Sequence, residues 1–166
     1  AGLQPYRFTK QDEQREKEWN IYTQIYSTYI ERNKKNMISS NISSKKVLNY
    51  LKKRNLDNKS IEEFNLGYVP FDSNTFLHLN DRFEKKSLKD SGLFYLDERK
   101  NEYVDRFRGR LIFPIYSLTG KPLAVGGRII EENKKIAKYV NSPETNFFKK
   151  GNNLYNLNKA RKISNK

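Results

Sequence analysis

Residues 105–151 read DRFRGRLIFPIYSLTGKPLAVGGRIIEENKKIAKYVNSPETNFFKKG, and the fold turns on how this stretch is read. Arg106, Arg108 and Arg110 stand at spacing two ahead of an apolar run. In a strand that spacing puts side chains on one face, so three guanidinium groups are predicted along one side of a strand, or of the turn that enters it. Leu111-Ile112-Phe113-Pro114-Ile115-Tyr116 is the strand, and Leu118-Thr119-Gly120-Lys121 is a turn signal. A second strand, Pro122-Leu123-Ala124-Val125, leads into Gly126-Gly127-Arg128. A charged loop separates these from Lys138-Tyr139-Val140-Asn141-Ser142-Pro143 and from Lys149-Lys150-Gly151. A short meander carrying arginines suits polyanions, because the guanidinium is a planar, forked donor that matches phosphate.

The charge is concentrated in the same place. Residues 106–166 hold 14 Lys/Arg against 3 Asp/Glu, a net of +11, whereas residues 1–105 hold 19 against 16, a net of +3. Basic charge focused on one segment steers phosphate ligands toward it. Many of the lysines are solvated surface; the arginines are the informative part.

Working outward, the 166 residues predict one domain, or one domain with a helical preface. The charged fraction is 31%, but 22 aromatic residues supply a core. There is no cysteine and one histidine, His78, which removes disulfides and Cys- or His-rich metal sites from consideration. No long apolar run suggests a membrane span, no apolar N-terminal run suggests a signal peptide, and a cytoplasmic location is the default expectation. The net charge of +14 leaves nucleic acid, anionic membrane or an acidic protein as partners, and the strand-like basic region disfavours the membrane.

In chain order, residues 1–10 read as a linker or docked arm. Residues 11–33 read as a helix with Asp12, Glu13 and Glu16 at its positive end. Its stripe of Trp19, Tyr22, Tyr26, Tyr29 and Ile30, broadened by Ile21 and Ile25, reads as a core face rather than a base-stacking platform. Residues 34–42 are a polar break. Ser43 or Ser44 then caps a helix through Asn55, with Val47, Leu48 and Leu51 inward and Arg54 at its end. Ser60 with Glu63 suggests a capping box for a short helix closed by Gly67. Tyr68-Val69-Pro70-Phe71 is extended. Residues 74–92 hold two short helices, the first carrying Phe76, Leu77, Leu79 and a partly exposed His78 that is not read as a ligand. Phe94-Tyr95-Leu96 and Glu102-Tyr103-Val104 pair as a hairpin, and Leu154-Tyr155-Asn156-Leu157 reads as a strand turning into a helix.

No catalytic constellation stands out. Gly126-Gly127-Arg128 lacks the spacing of a phosphate-binding Gly-Lys-Ser/Thr loop. The two glycines either let backbone N–H groups approach a phosphate or mark a bulge or kink. Asn141 either meets a base or ribose or caps the turn at Pro143. Glu131, Glu132 and Glu144 are the only carboxylates after Asp105, too few to hold two Mg²⁺ ions. By residue chemistry alone the chain binds phosphates and does not obviously transform them.

Four collinear motifs resemble bacterial DnaG-type DNA primases: the run from Asp105 to Ile115, that from Gly120 to Arg128, that from Lys138 to Thr145, and that from Phe148 to Tyr155. Tyr50-Leu51-Lys52-Lys53-Arg54-Asn55-Leu56 and Phe64-Asn65-Leu66-Gly67-Tyr68-Val69-Pro70 are similar to the family's upstream elements. The resemblance implies the N-terminal subdomain of the RNA polymerase core, with residues 41–166 as that basic subdomain and 1–40 as a helical lead-in. The fold expected is α+β, with helices first and then a small mixed or antiparallel sheet bearing a basic face. The missing initiator Met, the lack of cysteines and the position of Lys166 suggest a piece of a longer protein. Its Zn²⁺-binding domain, Mg²⁺-binding TOPRIM part and helicase-binding C-terminal domain would lie elsewhere. The function implied is a DNA-templated RNA polymerase making short primers. Arg54, Arg106, Arg108, Arg128, Lys138 and Lys150 would hold single-stranded DNA template or the hybrid with the RNA primer. Arg128, Lys138, Tyr139 and Asn141 would lie nearest the nucleoside triphosphate. The rivals are a non-catalytic single-strand-binding module and the same subdomain of a phage or plasmid primase-helicase.

Overall fold

The computed structural model describes residues 7–39, 41–131, 135–153 and 155–164. The N-terminal arm at residues 1–6, Glu132 and Leu154 lie outside the described residues. Helix α1 (Lys10–Ile38) comes first, followed by α2 (Ile42–Lys53) and α3 (Asn58–Glu63). Then come β1 (Gly67–Val69), α4 (Thr75–Asn80), α5 (Lys85–Asp90) and the hairpin β2 (Phe94–Asp97) and β3 (Glu102–Asp105). The chain continues as β4 (Arg110–Tyr116), β5 (Pro122–Ile129), β6 (Tyr139–Asn141), a 3₁₀ turn (Lys150–Asn152) and α6 (Leu157–Ser164). Strands β1-β4-β5-β6 form one sheet in that order, with every pairing antiparallel. This is the expected α+β class.

Helix α1 runs past the polar break expected at 34–42. Thr9 caps it, its side chain accepting from the Asp12 N–H while Asp12 accepts from Thr9. The helix continues because Asn33 and Met37 extend the buried stripe of Tyr26, Tyr29 and Ile30 by two further turns. Lys35 faces outward, and Lys34 lies half-buried, its ammonium reaching Asn65 and Glu62. Buried tyrosine hydroxyls need partners, and the three on α1 find them. Tyr22 donates to the Leu123 carbonyl, Tyr26 to the Ser91 carbonyl and Tyr29 to the Asp105 carboxylate. Ile21 and Leu77, assigned above to apolar faces, are largely exposed, so those stripes are narrower than the sequence suggested.

The caps move by a few residues. Asn41, not Ser43 or Ser44, caps α2 by accepting from the Ser44 N–H. Asp57, not Ser60, caps α3 by accepting from the Ser60 N–H. A carboxylate or carboxamide one turn upstream outcompetes the hydroxyl. Asn65, at φ 51°, reverses the chain after α3, and Gly67 opens β1 rather than closing the helix. Likewise Tyr155 and Asn156 form a turn before α6, with no strand among the described residues there.

The sheet separates two cores. One face carries Val69, Ile112 and Val125 against α1, α4, α5 and the hairpin. The other carries Tyr68 and Leu111 against Met37, Val47, Leu51, Ile61 and Leu66. Strand β5 runs straight through Gly126 and Gly127, both of which stay paired to β4 and β6. The bulge and phosphate readings of these glycines are therefore corrected. A Cβ on Gly127 would sit 2.6 Å from the Phe107 ring, so the glycine seats that ring against the strand.

Candidate nucleic-acid interface

One cross-strand row leads to the site. Tyr68 pairs with Leu111, Leu111 with Arg128, and Arg128 with Tyr139. Partners in adjacent strands share a face, so these four side chains stand side by side. Tyr68 and Leu111 are covered by α2 and α3; the row then runs out from under the helices. Arg128 and Tyr139 occupy its open end, and Tyr139 is 61% exposed on the edge strand. The last turn of α2 reaches the same place with Tyr50. The Arg128 guanidinium carbon lies 5.1 Å from the Tyr50 ring centre and 5.3 Å from that of Tyr139. Arg54, the C-cap of α2, lies 5.5 Å from the same Tyr50 ring. Two guanidinium groups thus share an aromatic ring, and each contact strengthens as water is excluded. The buried Arg128 Nε finds no hydrogen-bond partner among the described residues.

The second group sits on the turn 106–109, between β3 and β4. Its backbone is pinned at several points. The Arg106 N–H donates to the Leu93 carbonyl at 2.9 Å and the Gly109 N–H to the Val69 carbonyl at 2.7 Å. Asp105 Oδ1 accepts from the Phe107 N–H at 2.8 Å and from the Tyr29 hydroxyl at 2.9 Å. Phe107 is fully buried against Gly127. Gly109, at φ 70°, lies directly under the Phe71 ring and has no room for a side chain. Arg106 and Arg108 are carried outward by this frame. Arg106 Nε donates to the Gly92 carbonyl at 3.0 Å, and its guanidinium carbon lies 5.7 Å from the Tyr95 ring centre. Arg108 Nη2 donates to the Tyr95 hydroxyl at 3.4 Å.

Burial raises the Asp105 pKa to about 7; its two hydrogen bonds and the positive charge of Arg108 oppose the shift without cancelling it. Its second oxygen is buried with no partner among the described residues. Burial likewise lowers the Arg110 pKa. Among the described residues, no carboxylate forms an ion pair with Arg54, Arg106, Arg108 or Arg128; the carboxylates that pair do so with lysines. These four arginines therefore lack an ion-pair partner there, Arg108 sensing only the buried Asp105, and an anion can neutralise them.

The predicted residues divide as follows. Arg54, Arg128 and Tyr139 are brought together, and Arg106 and Arg108 form the second group. Arg110 does not share their face. It opens β4, is 7% exposed, and lays its stem beside Gly127 so that Nη1 reaches the Lys138 carbonyl at 3.3 Å. The spacing of two fails as a facing rule because the turn at Gly109 intervenes. Lys138 stands exposed just before β6. Asn141 is an exposed strand residue whose side chain lies over Gly126; the neighbouring turn is anchored instead by Ser142, whose hydroxyl bonds both the N–H and the carbonyl of Val125. Lys150 opens the 3₁₀ turn, its N–H donating to Glu144, and makes none of the arginine contacts. Glu131, read as solvated, pairs with Lys46 at 2.7 Å.

Sequence reasoning missed Tyr50, Tyr95 and Asp105. Tyr50 had one local signal: it precedes Arg54 by four residues in a helix, the spacing at which side chains meet. Tyr95 had none, because its partners come from another segment; Asp105 has one local partner, the Phe107 N–H, but the Tyr29 hydroxyl comes from α1. Among the described residues there is no group of three or more His, Cys, Asp or Glu placed to hold a metal ion, and no helix long and apolar enough to cross a membrane.

Residues 33–161 match the family described as DNA primase catalytic core, N-terminal domain. Over 127 residues the chain is 39% identical to a DNA primase of Pseudomonas putida, covering 75% of this chain and 19% of that protein. It is 38% identical over 148 residues to a DNA primase of Clostridium acetobutylicum, covering 84% and 23%. The chain thus spans about a fifth of the curated relatives it matches. A solved DnaG primase catalytic domain bound to single-stranded DNA superposes with a TM-score of 0.79 at 28% identity, over 90% of this chain and 45% of that one. A row of the sheet ending in an arginine between two tyrosines, a pinned turn with two more arginines, and a match over most of the length lead to one conclusion: the chain belongs to the family of DNA primase catalytic core N-terminal domains.

Proposed function

We propose that this chain is the nucleic-acid-holding part of a DNA primase, a cytoplasmic DNA-templated RNA polymerase that makes short RNA primers for replication. Residues 41–166 form its basic subdomain, with 1–40 as the helical lead-in. The observation that carries the reading is Arg128 held between Tyr50 and Tyr139, with Arg54 on the shared ring and, among the described residues, no carboxylate paired to either arginine. Aromatic faces beside guanidinium donors suit a strand that offers bases and phosphates alternately. Arg54, Arg106, Arg108, Arg128, Lys138 and Lys150 contact the template or its hybrid with the RNA primer. Arg128, Lys138, Tyr139 and Asn141 lie toward the incoming nucleoside triphosphate.

In the reaction a 3′-hydroxyl attacks an α-phosphate, and positioning plus charge stabilisation supply much of the rate. The carboxylates that bind Mg²⁺ belong to a TOPRIM part outside these 166 residues, and Zn²⁺ to a separate zinc-binding domain. The replicative helicase is met by a further C-terminal domain. Among the described residues no group of donors fits a metal, and no step through one is assigned to them.

The test is fluorescence anisotropy of a labelled single-stranded oligonucleotide titrated at several salt concentrations, with wild type and the double variant Arg106→Ala/Arg108→Ala. Each phosphate contact on a single strand contributes roughly −0.7 to the log–log salt slope. The wild-type slope is expected to be steep and that of the double variant shallower by about 1.4. Weak binding that ignores the mutations would overturn the reading.

A further inference from the structure

We propose that Tyr95 is a base-stacking subsite for single-stranded template, with Arg106 and Arg108 supplying its phosphate contacts; this deepens the template reading above and rests on it. Tyr95 is the second residue of β2, in a hairpin of only two strands. Its neighbour Phe94, paired with Asp105, turns into the core, so Tyr95 stands on the opposite side. There it is 39% exposed, next to an equally exposed Leu96.

The ring is not needed to anchor the arginines. Arg106 is tethered by its own Nε–H to the Gly92 carbonyl, and the turn beneath is pinned by backbone bonds to Leu93 and Val69. The Arg108 contact to the Tyr95 hydroxyl is a long 3.4 Å. Arg106 Nε is committed, but its two Nη groups make no hydrogen bond to the described residues, and neither arginine forms an ion pair with a carboxylate among them. A part-exposed tyrosine ring, with the Arg106 guanidinium over one side of it, thus lies beside two cations with donors to spare. That pairing matches a nucleotide, whose base stacks while its phosphate accepts hydrogen bonds. A tyrosine ring takes any base, so the subsite would grip template without reading its sequence.

Anisotropy titrations of the 166-residue chain would compare a labelled oligothymidylate with an abasic deoxyribose-phosphate strand of the same length. Wild type, Tyr95→Leu and Tyr95→Phe would be measured, with far-ultraviolet circular dichroism to confirm folding. Tyr95→Leu is expected to weaken the thymidylate complex about 5- to 10-fold while leaving the abasic complex and the salt slope unchanged. Tyr95→Phe, which keeps the ring, is expected to bind both strands as wild type does. Equal weakening of both strands by Tyr95→Leu would overturn the inference, since the ring would then only prop the arginines. No effect on either strand would overturn it as well. A wild-type chain that binds neither strand removes the template reading itself, and the subsite with it.

Discussion

The two arginine groups are built in opposite ways. Arg128 is mounted on a central strand and wedged between two rings, so its position is set by side-chain packing. Arg106 and Arg108 sit on a four-residue turn, and their position is set by what lies beneath it: a buried carboxylate, a buried phenyl ring and a glycine at positive φ. A strand residue inherits its place from the ladder. A turn residue has to be given one, and here the giving is done by Asp105, Phe107 and Gly109.

The largest effect is expected where the two groups share a support. Phe107 is fully buried, and its ring rests on Gly127, the residue before Arg128. Phe107→Ala removes the seat of the turn and leaves a cavity against β5. We expect a loss of about 3–5 kcal/mol. For a chain of this length that lowers Tm by roughly 10 °C, readable by thermal circular dichroism. A loss below about 1 kcal/mol, well short of that range, would show that the turn is not seated on the sheet.

The next effect separates the groups, because only the turn has a titrating support. The folded state holds the Asp105 proton to about pH 7, far above the ordinary carboxylate range. The folded chain therefore binds this proton more tightly than the unfolded chain does. Its contribution is fully present below about pH 4 and is lost as pH rises through about 7, by an amount on the order of 2–4 kcal/mol. Asp105→Asn keeps an oxygen to accept from Tyr29 and Phe107 and removes the charge. Denaturant unfolding between pH 4 and 8 should show that decline in wild type and a much flatter profile in the variant. Identical profiles would mean that Asp105 does not carry the titration.

Much of this architecture was legible beforehand, for physical reasons that also mark its limits. The strand runs 111–116 and 122–125, the hairpin and the tyrosine stripe of α1 depend on periodicity within one segment, and they appear where expected. Parity alone puts Arg110 on one face with Arg106 and Arg108 but does not prove that face, since a twist or bulge can turn it to a structural role and parity cannot see the turn at Gly109. The caps slipped to Asn41 and Asp57 because several capping residues stood close together and only geometry chooses between them. Tyr95 looked like an ordinary hairpin residue, since the guanidinium groups it meets come from 11 and 13 positions away. Nothing local to Asp105 shows that Tyr29 will bury it.

The smallest effect tests the wedge itself. If packing sets Arg128, a lysine at that position keeps the charge and loses the planar group that lies against Tyr50 and Tyr139. Each cation–π contact is worth about 0.5–1 kcal/mol where partly exposed, so Arg128→Lys should weaken single-strand binding about 5-fold or somewhat more. Arg108 touches only a hydroxyl, at 3.4 Å, and Arg108→Lys should cost less than about 2-fold on the same scale. Tyr50→Phe supplies the control on the wedge. The Tyr50 hydroxyl is buried without a partner among the described residues, so deleting it removes an unsatisfied group while leaving the ring in place. That variant should bind as wild type does and unfold no more easily, whereas Tyr50→Leu should resemble Arg128→Lys. Equal losses from the two lysine variants would mean that charge alone matters at both places, and the distinction between a packed arginine and a turn-borne one would have no bearing on binding.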